Sequence, residues 1–427
     1  MREDLLHFVW KYKKLPLNNM VTTSNEVLLI EDVGLHNHQS GPDFFNAKIK
    51  IGNQLWAGNV EIHINSSDWY AHKHELDTNY DNVILHVVWN YDMAVSRKDS
   101  SEIPTLELNN YISKELLENY QGLFAQRSNK FINCEKELAN IDGFIIDNWL
   151  ERLYVERLEA KSELINELLE ASKNDWEKVL FTLLLKNFGL NINGDAFLSL
   201  AEALDFSIVR KLQRSPIQLE CILFGLGGLL DDSSVHDPYY TALKTEYGYL
   251  QKKFSLNKEA VQKPEFFKLR PANFPTIRLS QLANLYRKHP NLFHLAISAT
   301  SLQHLYSILD ISASTYWDDH YTFGKESRKR KKTLTKKFKD LLIINTILPV
   351  KFCYSKHLGT PTKEEIFKII VGIGKEDNSV IGKFNRLGLK TKSAGDSQAV
   401  LQLYNGYCSN NKCLQCAIGG HLLNGNI

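Results

Sequence analysis

The sequence predicts an α/β domain over residues 1–130 followed by a mostly α-helical region, on three observations. Four short segments between residues 27 and 89 are apolar runs or alternate apolar with polar residues, the pattern of strands. From about residue 139 the apolar residues recur at helical spacing instead, with Leu150, Leu153, Leu158, Leu164, Ile165 and Leu168 standing among Glu, Arg and Lys. A chain of 427 residues with 43% apolar content buries more than one core, which favours two or three domains. We place these at 1–130, 131–395 and 396–427, the last a small cysteine-containing tail.

The elements follow in order. Residues 3–14 carry Leu5, Leu6, Val9 and Trp10 at helical spacing, which predicts a short amphipathic helix. Strands are expected over Val27–Ile30, Phe44–Ile51, Leu55–Ile64 and Val83–Trp89, with a fifth over Ile103–Leu108. The segment Ser67–Asp77 reads as a helix or an ordered loop. Helical blocks are expected at 149–169, 176–187, 195–205, 216–230, 237–254, 278–288, 302–310, 336–347 and 395–405.

Composition narrows the class. No window approaches the roughly 18 apolar residues of a membrane span, and the start Met1-Arg2-Glu3-Asp4 has no secretory character, so a cytoplasmic protein without membrane contact is expected. Six cysteines are too few for a disulfide scaffold in so long a chain. The net charge of +2 hides a run, Lys325 to Lys339, with nine Lys/Arg against one Glu. The overall charge predicts no polyanion partner, whereas its distribution allows DNA or RNA. Oligomeric state is not readable.

The chemistry concentrates between His36 and His86, which hold six of the fourteen histidines together with Gly41-Pro42-Asp43-Phe44 and Gly58-Asn59-Val60-Glu61-Ile62-His63. Carboxylates and imidazoles so gathered indicate a metal site. Alternate residues of a strand share a face, so Glu61 and His63 point together while Val60, Ile62 and Ile64 face the opposite layer. A three-residue connection, Gly52-Asn53-Gln54, pairs Asp43 with His63 and puts all three side chains on one face; a one-residue change in the loop reverses that parity. His36, His38 and His72 are expected to line the site, Asp68 either orients a histidine or caps the next segment, and His86 reads as a core histidine.

These residues resemble the PD-(D/E)XK nuclease superfamily, Pro42-Asp43 looking like its first half-motif and Glu61-Ile62-His63 like its second. The resemblance implies a restriction-endonuclease-like mixed sheet, Mg²⁺ or Mn²⁺ bound by Asp43, Glu61 and the Ile62 carbonyl, and residue 63 handling the attacking water. His63 stands where that superfamily usually has Lys. An imidazole there is a general base or a metal ligand, and as a ligand it shifts preference from Mg²⁺ towards Mn²⁺ or Zn²⁺. The run His36–Trp89, with Ser67-Asp68-Trp69, His72-Lys73-His74 and Tyr80-Asp81-Asn82, also resembles a family of uncharacterised bacterial proteins sharing a domain of unknown function. That resemblance extends through Arg270-Pro271-Ala272-Asn273-Phe274-Pro275 to the final cysteines.

Cys408-x4-Cys413-x2-Cys416, followed after four intervening residues by His421, has the spacing of a metal site. His421 as fourth ligand gives structural Zn²⁺; a remote cysteine such as Cys353 gives an iron–sulfur cluster instead. Arg328, Lys329, Arg330, Lys331 and Lys332 suit phosphates, with Tyr316, Trp317, Tyr321 and Phe323 nearby for stacking, and Arg270 and Arg278 suit an anion clamp or helix C-termini. The leading expectation is a metal-dependent nuclease-like protein or an inactive nucleic-acid-binding derivative. Its rivals are a non-catalytic scaffold and a histidine-metal hydrolase acting on another substrate.

Overall fold

The computed structural model describes residues 2–125, 130–215, 217–360 and 363–424. The chain divides into two units: Met1–Trp149 with Tyr404–Ile427, and Leu150–Leu403. The first unit therefore takes in the cysteine-bearing tail. It contains, in order, α1 (Glu3–Lys11), β1 (Met20–Val21), β2 (Val27–Asp32), β3 (Leu35–His36), β4 (Phe44–Ile51), β5 (Gln54–Asn65), α2 (Asp68–Ala71), β6 (Val83–Asn90), β7 (Thr105–Glu107) and α3 (Lys114–Phe124).

Its strands form one mixed sheet in the order β1-β2-β4-β5-β6-β7, with β3 paired to β4. The neighbours from β1 to β5 run antiparallel, and β5, β6 and β7 run parallel. A parallel neighbour requires a crossover, and here α2 and two 3₁₀ turns provide it between β5 and β6. One face of the sheet buries Val60, Ile62, Leu85 and Val87 against Leu5, Leu6, Val9 and Trp10 of α1 and Leu116, Tyr120 and Leu123 of α3. Each of the four α1 side chains is fully buried, worth roughly 1.5–3 kcal/mol apiece. The expected helix over 3–14 stops at Lys11 because Lys13 turns left-handed (φ 50°). The opposite face carries a smaller cluster of Trp69, Tyr80, Val83, Val95 and Ile103.

The β4–β5 register differs from the expected one. The turn is two residues long, Ile51 pairing with Gln54 and Lys50 with Leu55, which alone puts Asp43 on the wrong face. A β-bulge between Phe44 and Ala47, where Asn46 adopts φ 59° and its N–H is taken by the Asn59 side chain (3.3 Å), shifts the register once more, so that Phe44 pairs with Val60. Parity is thereby restored, and Asp43 comes beside Glu61 rather than His63.

The second unit is mostly helical. Expected blocks appear as Trp176–Phe188, Leu190–Ala203, Gln218–Leu226, Pro238–Phe254, Pro275–Lys288, Leu302–Ile308 and Ala394–Gln402, residue 216 lying outside the described set. The block at 336–347 is an α-helix only over Lys336–Leu342, then a π-helical turn over Ile343–Ile347. Pro349 explains the loosening, since it has no N–H for the Asn345 carbonyl and crowds it. Among the described residues no helix is long and apolar enough to cross a membrane.

At Gly58 the backbones of β5 and β6 approach closely. A Cβ there would overlap the Ile84 side chain and lie 2.7 Å from the Asn82 carbonyl, which already accepts the Asn59 N–H at 2.8 Å. Gly58→Ala is expected to destabilise the first unit by roughly 1–3 kcal/mol. Urea unfolding followed by tryptophan fluorescence measures this, and an unchanged midpoint contradicts the packing described.

Candidate metal centre

Glu61 and His63 stand two residues apart on β5 and share the face with the smaller cluster; both are buried, at 5% and 2% exposure, in a place where charged groups are costly. β6 lies parallel beside them with His86 opposite Glu61, so a third polar group enters the same layer. The crossover brings two more imidazoles. Asp68 accepts the Asn65 N–H (2.9 Å), and Asp92 holds the Ser66 and Ser67 hydroxyls (2.6 Å each), fixing the exit from β5. Lys73 then takes a left-handed conformation (φ 62°), which reverses the chain between His72 and His74. Neither segment is extended, yet both rings return to β5. The His74 ring stacks on Tyr80 (3.8 Å between centroids) with Trp69 at its edge.

The donor atoms converge. His63 Nε2 lies 3.2 Å from His72 Nδ1 and 3.4 Å from Glu61 Oε1, and His74 Nε2 lies 3.4 Å from the same oxygen. The His63, His72 and His74 donor nitrogens all fall within 4.8 Å of one another. Ligands about 2.1 Å from a tetrahedral ion stand about 3.4 Å apart, so the spacing fits one Zn²⁺-sized cation. His74 Nε2 is buried without a hydrogen-bond partner, which a coordinated cation would satisfy. His72 is exposed, so the site opens to solvent on that side.

Surrounding groups fix these donors. His63 Nδ1 bonds His86 Nε2 at 2.8 Å, leaving Nε2 to face the site. Glu61 Oε2 accepts the Asp43 N–H (3.2 Å), while Asp43 Oδ2 accepts the Ile62 N–H (2.9 Å) and pairs with His7 Nε2 (3.3 Å). Burial first, then the Asp43 charge, holds the Glu61 carboxyl far above the ordinary carboxylate range. Burial, followed by the neighbouring imidazoles, pushes His63 well below the ordinary value, and burial takes His86 down to about 3. A protonated acid among neutral imidazoles is the state such donors adopt when no cation neutralises them.

Sequence reasoning found Asp43, Glu61, His63 and His72. The structure brings Glu61, His63 and His72 together, adds His74, and commits Asp43 Oδ2 to the Ile62 N–H and His7. Ile62 lies between the ligands with its side chain in the main core. His36 and His38 gather elsewhere: His36 stacks on Phe44 (4.7 Å), with His38 (4.2 Å) and His7 (5.4 Å) beside it. Burial holds His36 at about 4. His7 carried no sequence signal, since it lies in an amphipathic helix far from the motifs.

In the other unit Arg270, Arg328, Lys329, Arg330 and Lys331 are exposed. Lys332 is buried, donating to the Asp318 carbonyl (2.7 Å) above the Tyr321 ring, and Arg278 is buried with bonds to Gln281 (2.8 Å) and Asn273 (2.6 Å), stacked on Phe338. Trp317 is buried and donates to Glu220 (2.6 Å), so it offers no stacking surface. Cys408, Cys413 and Cys416 lie unpaired in the tail of the first unit, with His421 on the helix Ala417–Leu423; Cys353, in the second unit, bonds Asn166 (3.3 Å).

These shifts set a pH dependence for the metal-free protein. His63 and His86 titrate below the ordinary 6.5 when folded, so the unfolded chain takes their protons first, and the stability present above about pH 6.5 is lost as pH falls. Glu61, raised above its ordinary 4.5, acts in the opposite direction over the same window. The lowered imidazoles outnumber the raised carboxyls, so unfolding takes up protons between pH 6.5 and 5, at about 1.4 kcal/mol per pH unit for each net proton. Thermal melts with chelator should show Tm falling through that window, and more steeply for Glu61→Gln. A Tm that rises as pH drops contradicts the burial of these imidazoles.

The sequence was compared with protein families, curated proteins and solved structures. A family described as "Protein of unknown function (DUF2851)" matches residues 3–379, ending short of the final cysteines. No curated protein and no solved structure matches. Since the family match spans nearly the whole chain, the protein belongs to the DUF2851 family.

Proposed function

We propose that this protein is a divalent-metal-dependent hydrolase of phosphodiester bonds in DNA or RNA, with His63, His72 and His74 holding the cation and Glu61 handling the water. The convergence of those three nitrogens with Glu61 Oε1 carries the reading. Three protein ligands with one open side are the arrangement of catalytic rather than structural sites. Three imidazole donors favour Zn²⁺ or Mn²⁺ over Mg²⁺.

A bound cation supplies Lewis acidity at a phosphoryl oxygen and lowers the pKa of water. Glu61, ionised once the cation's charge is beside it, accepts the proton of the attacking water and passes it to the leaving oxygen. His86 fixes the His63 ring so that Nε2 stays aimed at the site. Asp43 clamps the Ile62 backbone between Glu61 and His63 and sets the Glu61 rotamer through its own N–H. Solvent access at His72 leaves room for a substrate phosphate.

The choice of nucleic acid rests on the resemblance of Pro42-Asp43 and Glu61-Ile62-His63 to PD-(D/E)XK half-motifs. The order of helix, three antiparallel strands, crossover and parallel strand supports a restriction-endonuclease-like sheet. Exposed Arg328, Lys329, Arg330 and Lys331 supply phosphate contacts of the kind that bind without sequence preference.

Cleavage of single- and double-stranded DNA and RNA, assayed with Mn²⁺, Zn²⁺ or Mg²⁺, tests the reading. Glu61→Gln should keep metal binding and lose at least about 100-fold in rate, whereas His74→Ala should lose both. If the wild type binds one cation here but cleaves none of the four polymers, the nuclease reading fails and a binding role replaces it. Cleavage undiminished in both variants moves the chemistry elsewhere on the chain.

A further inference from the structure

We propose that Cys134, Cys408, Cys413 and Cys416 form a single four-thiolate metal site, which fastens the segment after α3 to the tail of the first unit. The sequence marked only the last three. Cys134 lies more than 270 residues before them, in a stretch with no motif of its own.

The packing brings it there. The Phe131 ring stacks on Tyr404, with centroids 4.9 Å apart and planes at 14°. The Asn133 amide donates both to Asn411 Oδ1 (3.2 Å) and to the Cys413 sulfur (3.3 Å). Cys134, the next residue, packs with Cys413 against the main core. Contacts at 131, 133 and 134 thus bind this segment to residues on both sides of Cys408. On the tail side, Cys416 is the N-cap of the helix Ala417–Leu423, a position where the free N–H groups of the first turn would favour a thiolate. Gly419 is required there, because a Cβ would overlap the Cys413 carbonyl.

All four cysteines are free, and all four are close enough to feel one another. Four neighbouring thiols, Cys416 buried and the other three half-buried, become ligands when a cation replaces their protons, one S–H bond breaking and one proton leaving per sulfur. Among the described residues no three of these sulfurs lie within 4.8 Å of one another, so binding requires side-chain rotation that closes the Cys408–Cys416 loop. The shared chemistry is four converging thiolates; Zn²⁺ and an iron–sulfur cluster are its two occupants.

The site is independent of the Glu61 centre, and the test keeps them apart. In full-length protein carrying His72→Ala and His74→Ala, elemental analysis after aerobic and anaerobic purification should find about one equivalent of zinc, or iron with acid-labile sulfide and visible charge-transfer absorbance. Adding Cys134→Ser should remove at least about nine-tenths of that metal, whereas Cys353→Ser should leave it unchanged. In the wild type, chelation should open Cys134, Cys408, Cys413 and Cys416 to alkylation together, mapped by peptide mass spectrometry, without altering Cys221 or Cys353. The proposal is overturned if neither metal is present, if the metal survives Cys134→Ser, or if Cys134 alkylates independently of the other three.

Discussion

The structure of the first unit turns on burying a carboxylate among imidazoles at the centre of a sheet. Glu61 and His63 are more deeply buried than any ion would be without a partner, and the partners provided are other titratable groups. Removing such groups from water costs several kcal/mol unless charge and hydrogen bonds are restored. Protons restore them in part, by keeping Glu61 neutral and the imidazoles uncharged. A divalent cation, as proposed, would restore them more fully by taking the lone pairs that otherwise face each other.

That arrangement needs three separate devices of the backbone. The parallel pairing of β5 with β6 puts His86 behind His63; the bulge at Asn46 returns Asp43 to the Glu61 face; and the left-handed Lys73 folds His72 and His74 back over the strand. Two of the three are left-handed conformations, at Asn46, a residue that tolerates positive φ, and at Lys73, which rarely adopts it. Backbone strain of this kind survives where the surrounding contacts over-determine it. Here the Asn59 side-chain oxygen at one site and the stack of Tyr80 on His74, with Trp69 at its edge, at the other provide those contacts.

Period-2 alternation made β4 and β5 legible to within a residue or two, a near-continuous apolar run did the same for β6, and helical spacing located most of the second unit. Glu61 and His63 followed from alternation alone, because side-chain parity along one strand is independent of its partners. Asp43 did not. Its face depends on the turn length and on any bulge, and the expected three-residue connection reached the right face by an error that the bulge offset. His72 and His74 depend on the crossover, where a short helix followed by the left-handed Lys73 brings i and i+2 back over β5 by a route that alternation along a strand does not describe. Cys134 and His7 are long-range partners, and nothing in their local sequence encodes who meets them.

The separation of Cys134 from Cys408 has an energetic consequence of its own. Residues 1–149 and 404–427 form one unit although the second unit's whole sequence intervenes, so docking the tail closes a loop of more than 250 residues. Closing such a loop restricts the unfolded chain, and in the chain-entropy account a cross-link between its ends contributes on the order of 5 kcal/mol. Without a cross-link, the tail is held by the Tyr404 and Trp149–Tyr407 ring contacts, the Asn119 and Asn133 hydrogen bonds, and Leu414 and Leu423 in the core. The thiolate-bound metal proposed at Cys134, Cys408, Cys413 and Cys416 would add such a cross-link, acting on the same core that positions α1 and the underside of β5. The closed thiolate site and the open imidazole site would then divide the work within one unit, the first fixing the layer on which the second is built.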